Sequence, residues 1–286
     1  MVDIALGQPA PWTETFTFDV TAEQISAYAL ATNERDPRLI HGQLAPPLFA
    51  TVPVRAAMRA AFAQAMPEGL PPSIPRLAGE QDIRVHQPIL PGVRLFCRAR
   101  FMGISPKSSG TTLTYKFETR SRSGELVNEQ YMTTFLPSVM WPQAVGERAP
   151  DHLVPVEVKN AAPNHRVVQG FDADQTFRFS AASGDHSPMH LDIEQAKKAG
   201  LPGIIIHGLC TMAFVARAVA ESVGGGDVLR LRRLAVRFSR PIFPATEMTT
   251  LLWFGGALGH GALYFCEARG SDGVAVITNG LAEVSS

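Results

Sequence analysis

The most apolar window of the 286-residue chain is 201–220, yet Pro202, Gly203, His207, Gly208 and Arg217 interrupt it. A membrane-spanning helix needs about 20 apolar residues with few interruptions. The pattern therefore predicts a buried helix that starts near Gly208. Before and after this helix lie runs rich in β-branched and aromatic residues, with turn residues between them. In the second half they are 236–245, 248–254, 262–269 and 274–281, punctuated by Gly255-Gly256 and Ser271-Asp272-Gly273. In the first half an apolar segment, 47–62, is followed by 83–92, 95–104, 111–121 and 126–136. Such runs read as antiparallel strands.

The two halves are copies. Thr21-Ala-Glu-Gln24 and Asp172-Ala-Asp-Gln175 are both capping boxes, an oxygen side chain with Gln three residues on, at an offset of 151. That offset sets Tyr28 over Phe179, Thr32 over Ser183 and Pro37 over Pro188. Further on, "APPLFATVPV" (45–54) matches "IHGLCTMAFV" (206–215), and "IRVHQPILPG" (83–92) matches "VRFSRPIFPA" (236–245). Each copy reads as a short helix, a loop, a longer apolar helix and about four strands. A long apolar helix and one antiparallel sheet must bury their apolar faces against each other. The expected class is α+β, with a sheet wrapped around a helix in each copy and the copies pairing edge to edge, which protects edge strands. The expected organisation is a first repeat at 1–138, a linker at 139–164 with four prolines, and a second repeat at 165–286. Pro53 should kink or break the first copy's long helix.

Charge narrows the field. Lys+Arg and Asp+Glu both number 26, so the chain lacks the basic field of a nucleic-acid binder. Cys97, Cys210 and Cys266 are too few and too scattered for a disulfide framework or a zinc site. They read as buried thiols in a reducing compartment. The N-terminus shows neither the basic nor the apolar region of a signal peptide, and the C-terminus "AEVSS" carries no peroxisomal address. A soluble cytoplasmic protein, without membrane contact, is expected.

The chemistry is concentrated in "SGDHSPMH" (183–190) and the "HGLCT" that follows it (207–211). By itself the first stretch reads either as an acid/base pair or as a polar turn capped by an aspartate. Taken together, "ASGDHSPMHLDIEQAKKAGLPGIIIHGLCT" (182–211) resembles the signature "LSGD-x-NPLH-x-D…A…AGF…ILHGLCT" of type-2, (R)-specific enoyl-CoA hydratases, of the MaoC-like hotdog family. Ser187 stands where the family has Asn, Met189 where it has Leu, and "AGEQ" (78–81) where it has "HGEQ". The resemblance implies a double hotdog with a worn first copy and an acyl-CoA thioester as substrate. A homodimer and no cofactor are expected with it. It also implies that Gly79, Phe238 and Lys107 line the substrate site, Lys107 near the CoA moiety, and that a disrupted first-copy helix makes room for long or bulky acyl chains.

Hydrating an enoyl thioester requires aimed water, two proton transfers and a donor for the thioester oxygen. Asp185 and His190, turned inward by the loop at Pro188, supply the first two. Ser187 offers the loop a hydroxyl. Gly208, at the start of the apolar helix, supplies its backbone N–H as an oxyanion hole. His207 reads either as a site-lining residue or as a satisfied core histidine. The rival for this loop is a metal site built from Asp185, His186, His190 and Asp192, but Pro188 spoils the helix its His-x₃-His spacing needs; no metal is expected. In the first copy Glu34 stands at Asp185, Leu39 at His190 and Pro46-Pro47 at His207-Gly208, so that copy should be inert. The expected function is reversible hydration of trans-2-enoyl-CoA to (R)-3-hydroxyacyl-CoA. The alternatives are a dehydratase acting on an acyl-carrier-protein substrate and a non-catalytic acyl-thioester-binding subunit.

Overall fold

The computed structural model describes residues 10–64 and 76–286. In chain order they form β1 (Phe16–Asp19), α1 (Ala22–Ala31), α2 (Pro37–Ile40), α3 (Arg55–Gln64), β2 (Leu77–Val85), β3 (Arg94–Lys107), β4 (Gly110–Arg120), β5 (Leu126–Pro137) and β6 (Val145–Gly146). These are followed by α4 (Val156–Asn160), β7 (His165–Gly170), α5 (Gln175–Ser183), α6 (Ile193–Lys198), α7 (Gly208–Val223), β8 (Leu231–Phe238), β9 (Glu247–Leu258), β10 (Gly261–Gly270) and β11 (Ala275–Ser285). Short 3-10 turns occupy Pro47–Thr51, Pro188–His190 and Val228–Arg230. No helix among the described residues is long and apolar enough to cross a membrane.

The chain makes two compact units, neither continuous in sequence. The first takes the described residues within Met1–Asp19, Pro53–Gln87 and Arg94–Asp151; the second takes Val20–Val52, Pro88–Val93 and His152–Ser286. The first-copy helices α1 and α2 thus belong with the C-terminal portion of the chain.

In the first unit the strands run in the order β1-β3-β4-β5-β2, antiparallel throughout, with β6 on β3. Along β3, Leu95, Cys97, Ala99 and Phe101 are buried and the residues between them are not, the period-2 alternation of a sheet with one wet face. Helix α3 packs on β3 and β4, with Phe62 edge-on to Tyr115 at 4.7 Å. The other face carries ion pairs such as Arg98–Glu118 and Lys116–Glu129, and Arg98 stacks on Trp12.

In the second unit the order is β8-β11-β10-β9-β7. Against this sheet lies α7, buried on every side from Cys210 to Ala220. A helix apolar all round is a core helix, and the arrangement is the helix-in-sheet of a hotdog. Phe171 stacks on Phe214 at 4.3 Å to close one end of this core.

The proline in the first copy acts as expected. The segment starts as a 3-10 turn at Pro47–Thr51, and α-helix resumes only at Arg55, past Pro53. The first capping box forms in full: Gln24 N–H donates to Thr21 Oγ1 at 3.2 Å, and Thr21 N–H to Gln24 Oε1 at 2.9 Å. The second forms only in part. Asp172 N–H donates to Gln175 Oε1 at 3.2 Å, but the Asp172 carboxylate is drawn to Arg178 and Asn33, and α5 begins after Asp174, whose side chain makes no capping bond. The segment 139–164, read as a plain linker, contains β6 and α4. Strands β1 and β7 lie outside the runs read as strands; each is an edge strand of one sheet, held by β3 and β9 respectively.

Candidate active site

Helix α5 stops at Gly184, which takes the left-handed conformation (φ 71°) that ends helices without a Cβ penalty. Asn33 (φ 54°) holds the matching place after α1. The chain then turns through Asp185, whose Oδ1 accepts from Ser187 N–H at 3.2 Å and Ser187 Oγ at 2.6 Å. This Asx-type turn orients the carboxylate, and the serine that replaces the family's asparagine serves it. Ser180 Oγ and His186 Nδ1, 2.8 Å apart, brace the same loop from outside. Pro188 opens the 3-10 turn that delivers His190, which is 9% exposed.

His190 Nδ1 lies 2.8 Å from the carbonyl oxygen of Ile205. A carbonyl only accepts, so Nδ1 carries the proton and Nε2 keeps the lone pair. Burial holds the imidazole below its ordinary value of 6.5, against the opposing pull of the Ile205 carbonyl and Asp185. The ring is therefore a neutral base at neutral pH. Because burial disfavours the cation, His190 should stay unprotonated to lower pH than an exposed histidine. The acid limb of kcat/KM should accordingly have its midpoint below 6.5. A pH–rate profile with that midpoint at or above 6.5 would mean that another group controls the limb.

His207 precedes α7 with extended backbone (φ −59°, ψ 136°), and Gly208 begins the helix. The first-turn N–H groups of a helix have no intrahelical acceptor, so the Gly208 N–H is available to an incoming oxygen. A Cβ on Gly208 would lie 3.2 Å from two ring carbons of Phe238, at the end of β8. A side chain at this position would crowd the Phe238 ring, which lies over the helix start. The segment leading to α7 is held by Ile206 N–H to Ile242 O at 2.8 Å and by Ile205 N–H toward Met189 O at 3.4 Å.

The second unit thus brings together Asp185, Ser187, His190, His207, Gly208 and Phe238. Gly79 and Lys107 stand in the first unit. Gly79 sits at a bulge in the β2–β5 register beside Thr133, and Lys107 is exposed where β3 turns into β4. No group of three or more His, Cys, Asp or Glu suited to a metal occurs among the described residues. Sequence reasoning missed Thr176, one residue into α5, whose Oγ1 is 3.1 Å from His207 Nδ1 and 3.0 Å from His190 O. A threonine there carries no local signal, because its partners lie 14 and 31 residues away.

The first copy lacks these parts. Leu39, at the place of His190, is fully buried among Ala29, Leu44, Ala220 and Val228. Pro46 approaches its turn with φ −58° and ψ 148°, much as His207 does, but Pro47 has no N–H. Glu34, at the place of Asp185, is buried, and burial raises its carboxyl to about 7, with Arg217 pulling the other way. A carboxyl raised in the fold adds stability below its unfolded value near 4.5, and that contribution is lost as pH rises through about 7. Glu34→Gln removes this titration. The stability of Glu34→Gln relative to wild type should therefore improve from pH 5 to pH 8 by on the order of 1–2 kcal/mol in paired denaturation curves. Turnover of a four-carbon substrate should stay within about twofold, since Glu34 has no histidine partner. A pH-independent difference between the two proteins would contradict the first expectation, and a dead variant the second.

Comparison with known proteins gives the family and the fold. Residues 146–263 match the model described as "MaoC like domain", and 8–130 match "FAS1-like, dehydratase domain region". The chain is 32% identical over 204 residues to 3-hydroxyacyl-thioester dehydratase Y of Mycobacterium tuberculosis, covering 69% of this chain and 67% of that protein. The chain belongs to the MaoC-like dehydratase family. Relatives also include the mouse peroxisomal multifunctional enzyme type 2, 31% identical over 182 residues; the match takes 63% of this chain but spans about a quarter (24%) of that enzyme's length. Among solved structures, a MaoC-like dehydratase from Phytophthora capsici superposes with a TM-score of 0.83 at 23% identity, covering 100% of this chain and 99% of that one. A Mycobacterium tuberculosis protein described as having a double hotdog fold gives 0.64 at 13%, with 99% and 96% covered. The fold is the α+β double hotdog.

Proposed function

We propose that this MaoC-like chain is a hydro-lyase that reversibly hydrates trans-2-enoyl-CoA to (R)-3-hydroxyacyl-CoA. The observation that carries the reading is the fixed tautomer of His190: Nδ1–H is tied to Ile205 O, and Nε2 is left as a base in the same loop as Asp185. Water held between His190 and Asp185 gives a proton to Nε2 while its oxygen bonds to the β-carbon. The C2–C3 π electrons move toward the thioester, whose oxygen gains charge and is met by the Gly208 N–H at the positive end of α7. The α-carbon then takes a proton from the same pair, so one water is consumed and both groups return to their starting states. Phe238 walls the acyl group beside Gly208. Lys107 pairs with a CoA phosphate and Gly79 lines the substrate channel; both assignments rest on the family pattern. The repeats at 1–138 and 165–286, joined by 139–164, divide the labour, the second doing chemistry and the first serving as scaffold.

The test is a series of trans-2-enoyl-CoA substrates of rising chain length, followed by loss of enoyl-thioester absorbance, with chiral analysis of the product. (R)-3-hydroxyacyl-CoA is the expected product. No hydration at any chain length, or an (S) product, would overturn the proposal.

A further inference from the structure

The ring of His207 touches both members of the catalytic pair. It stacks on the His190 ring with centroids 3.7 Å apart and planes 24° from parallel, and its Nε2 lies 3.1 Å from the backbone carbonyl of Asp185. Phe179 covers it from α5, with centroids 5.0 Å apart. Both His207 and Thr176 are almost fully buried (1% and 0% exposed), so their geometry is set by packing.

Hydrogen-bond roles follow from the acceptors. Asp185 O cannot donate, so His207 Nε2 carries a proton. In the neutral ring Nδ1 is then an acceptor, and the Thr176 hydroxyl, 3.1 Å away, is the donor that meets it. Thr176 has one proton to give. The same oxygen lies 3.0 Å from His190 O and 3.3 Å from Ile205 O, so donating to His207 forgoes both carbonyls. Were His207 protonated instead, Thr176 would turn to a carbonyl, and a cation would be stacked directly on His190. That cation would oppose the proton His190 must accept. A neutral ring does the reverse, since its π face favours the imidazolium that forms above it.

We propose that Thr176 and His207 are positioning residues for the reaction. The His207 ring ties the Asp185 backbone to the His190 imidazole, and the Thr176 hydroxyl holds that ring neutral and in register. This rests on the hydratase reading of the same site. It assigns His207 no contact with substrate: both its nitrogens serve protein groups, and its faces serve His190 and Phe179.

The test uses the full-length chain and a four-carbon enoyl-CoA, with kcat and KM measured separately and folding checked by thermal melts. Thr176→Val keeps the shape and removes the hydroxyl. It should lower kcat about tenfold with KM within about twofold, because a displacement well under 1 Å affects the transition state more than binding. Thr176→Ser should recover most of that loss. His207→Phe keeps a ring under His190 but cannot donate to Asp185 O, and should lose about 10²-fold in kcat. His207→Gln places an amide N–H near the position of Nε2 and should restore about tenfold of it. If Thr176→Val keeps wild-type kcat, or if kcat and KM change together without rescue by serine, the proposal is overturned. Should His207→Phe fail to fold, the Thr176 pair decides. The wild-type chain measured alongside separates the two ideas. Wild-type hydration to the (R) product with a fully active Thr176→Val removes only the positioning role, whereas no hydration by the wild-type chain removes the hydratase reading itself.

Discussion

Replacing His190 by Ala, or Asp185 by Asn, should lower kcat for enoyl-CoA hydration by at least about 10²-fold, the usual worth of a positioned acid or base. The two are expected to be similarly damaging, because one water is held by both. His190→Ala removes the Nε2 base outright and leaves Ile205 O without the donor it has at 2.8 Å. Asp185→Asn keeps the size of the side chain and an oxygen for Ser187, but loses the negative charge that favours a protonated His190. The asparagine variant should therefore melt close to wild type, which makes it the cleaner measurement. The alanine variant opens a cavity in a buried loop and should lose stability of about 1–2 kcal/mol. Near-wild-type turnover by a folded protein of either kind would remove the residue from the mechanism.

Gly208 permits a sharper experiment, because the worn copy shows what substitution nature tolerates at that place. Pro47 starts its turn after a residue with φ −58° and ψ 148°; Gly208 follows His207 with φ −59° and ψ 136°. Proline suits the first helical position, and the residue before it is already extended, as proline requires. Gly208→Pro should therefore fold, yet it deletes the backbone donor. Its Cβ meets Phe238 at 3.2 Å, a crowding that Gly208→Ala shares while keeping the N–H. Alanine measures the cost of the contact; the additional loss in proline measures the oxyanion hole. Proline should fall a further 10²–10³-fold in kcat, the range seen when one such donor is removed. Equal activities for the two variants would show that the Gly208 N–H does not stabilise the transition state.

Much of this protein was legible in one dimension because its signals are local or periodic. The offset of 151 between the two capping boxes located the repeat, and the runs from 95 to 136 and from 248 to 281 became β3–β5 and β9–β11 to within a few residues at most ends. The apolar window named α7 and its first residue, since a glycine after a histidine ended the irregular run. Pro53 broke the first copy's helix, as a residue without an N–H must. Asp185, His190 and Gly208 were picked out by the resemblance of 182–211 to the family signature.

Tertiary structure decided what spacing cannot encode. The proton on His190 is placed by the carbonyl of Ile205, an atom every residue possesses and no residue type announces. Thr176 joins the site because α5 packs beside the segment before α7. The second capping box opened because Arg178, within the same helix, competes for the carboxylate of Asp172. The edge strands β1 and β7, of 4 and 6 residues, exist only because β3 and β9 offer them a free edge. The sequence by itself determined the repeat, the strands and the buried helix, through local caps, breaks and periodicity, and its resemblance to the family signature pointed to Asp185, His190 and Gly208. Which nitrogen of His190 carries the proton, and what its neighbours touch, depended on groups brought together by packing over 14 to 31 residues of intervening chain.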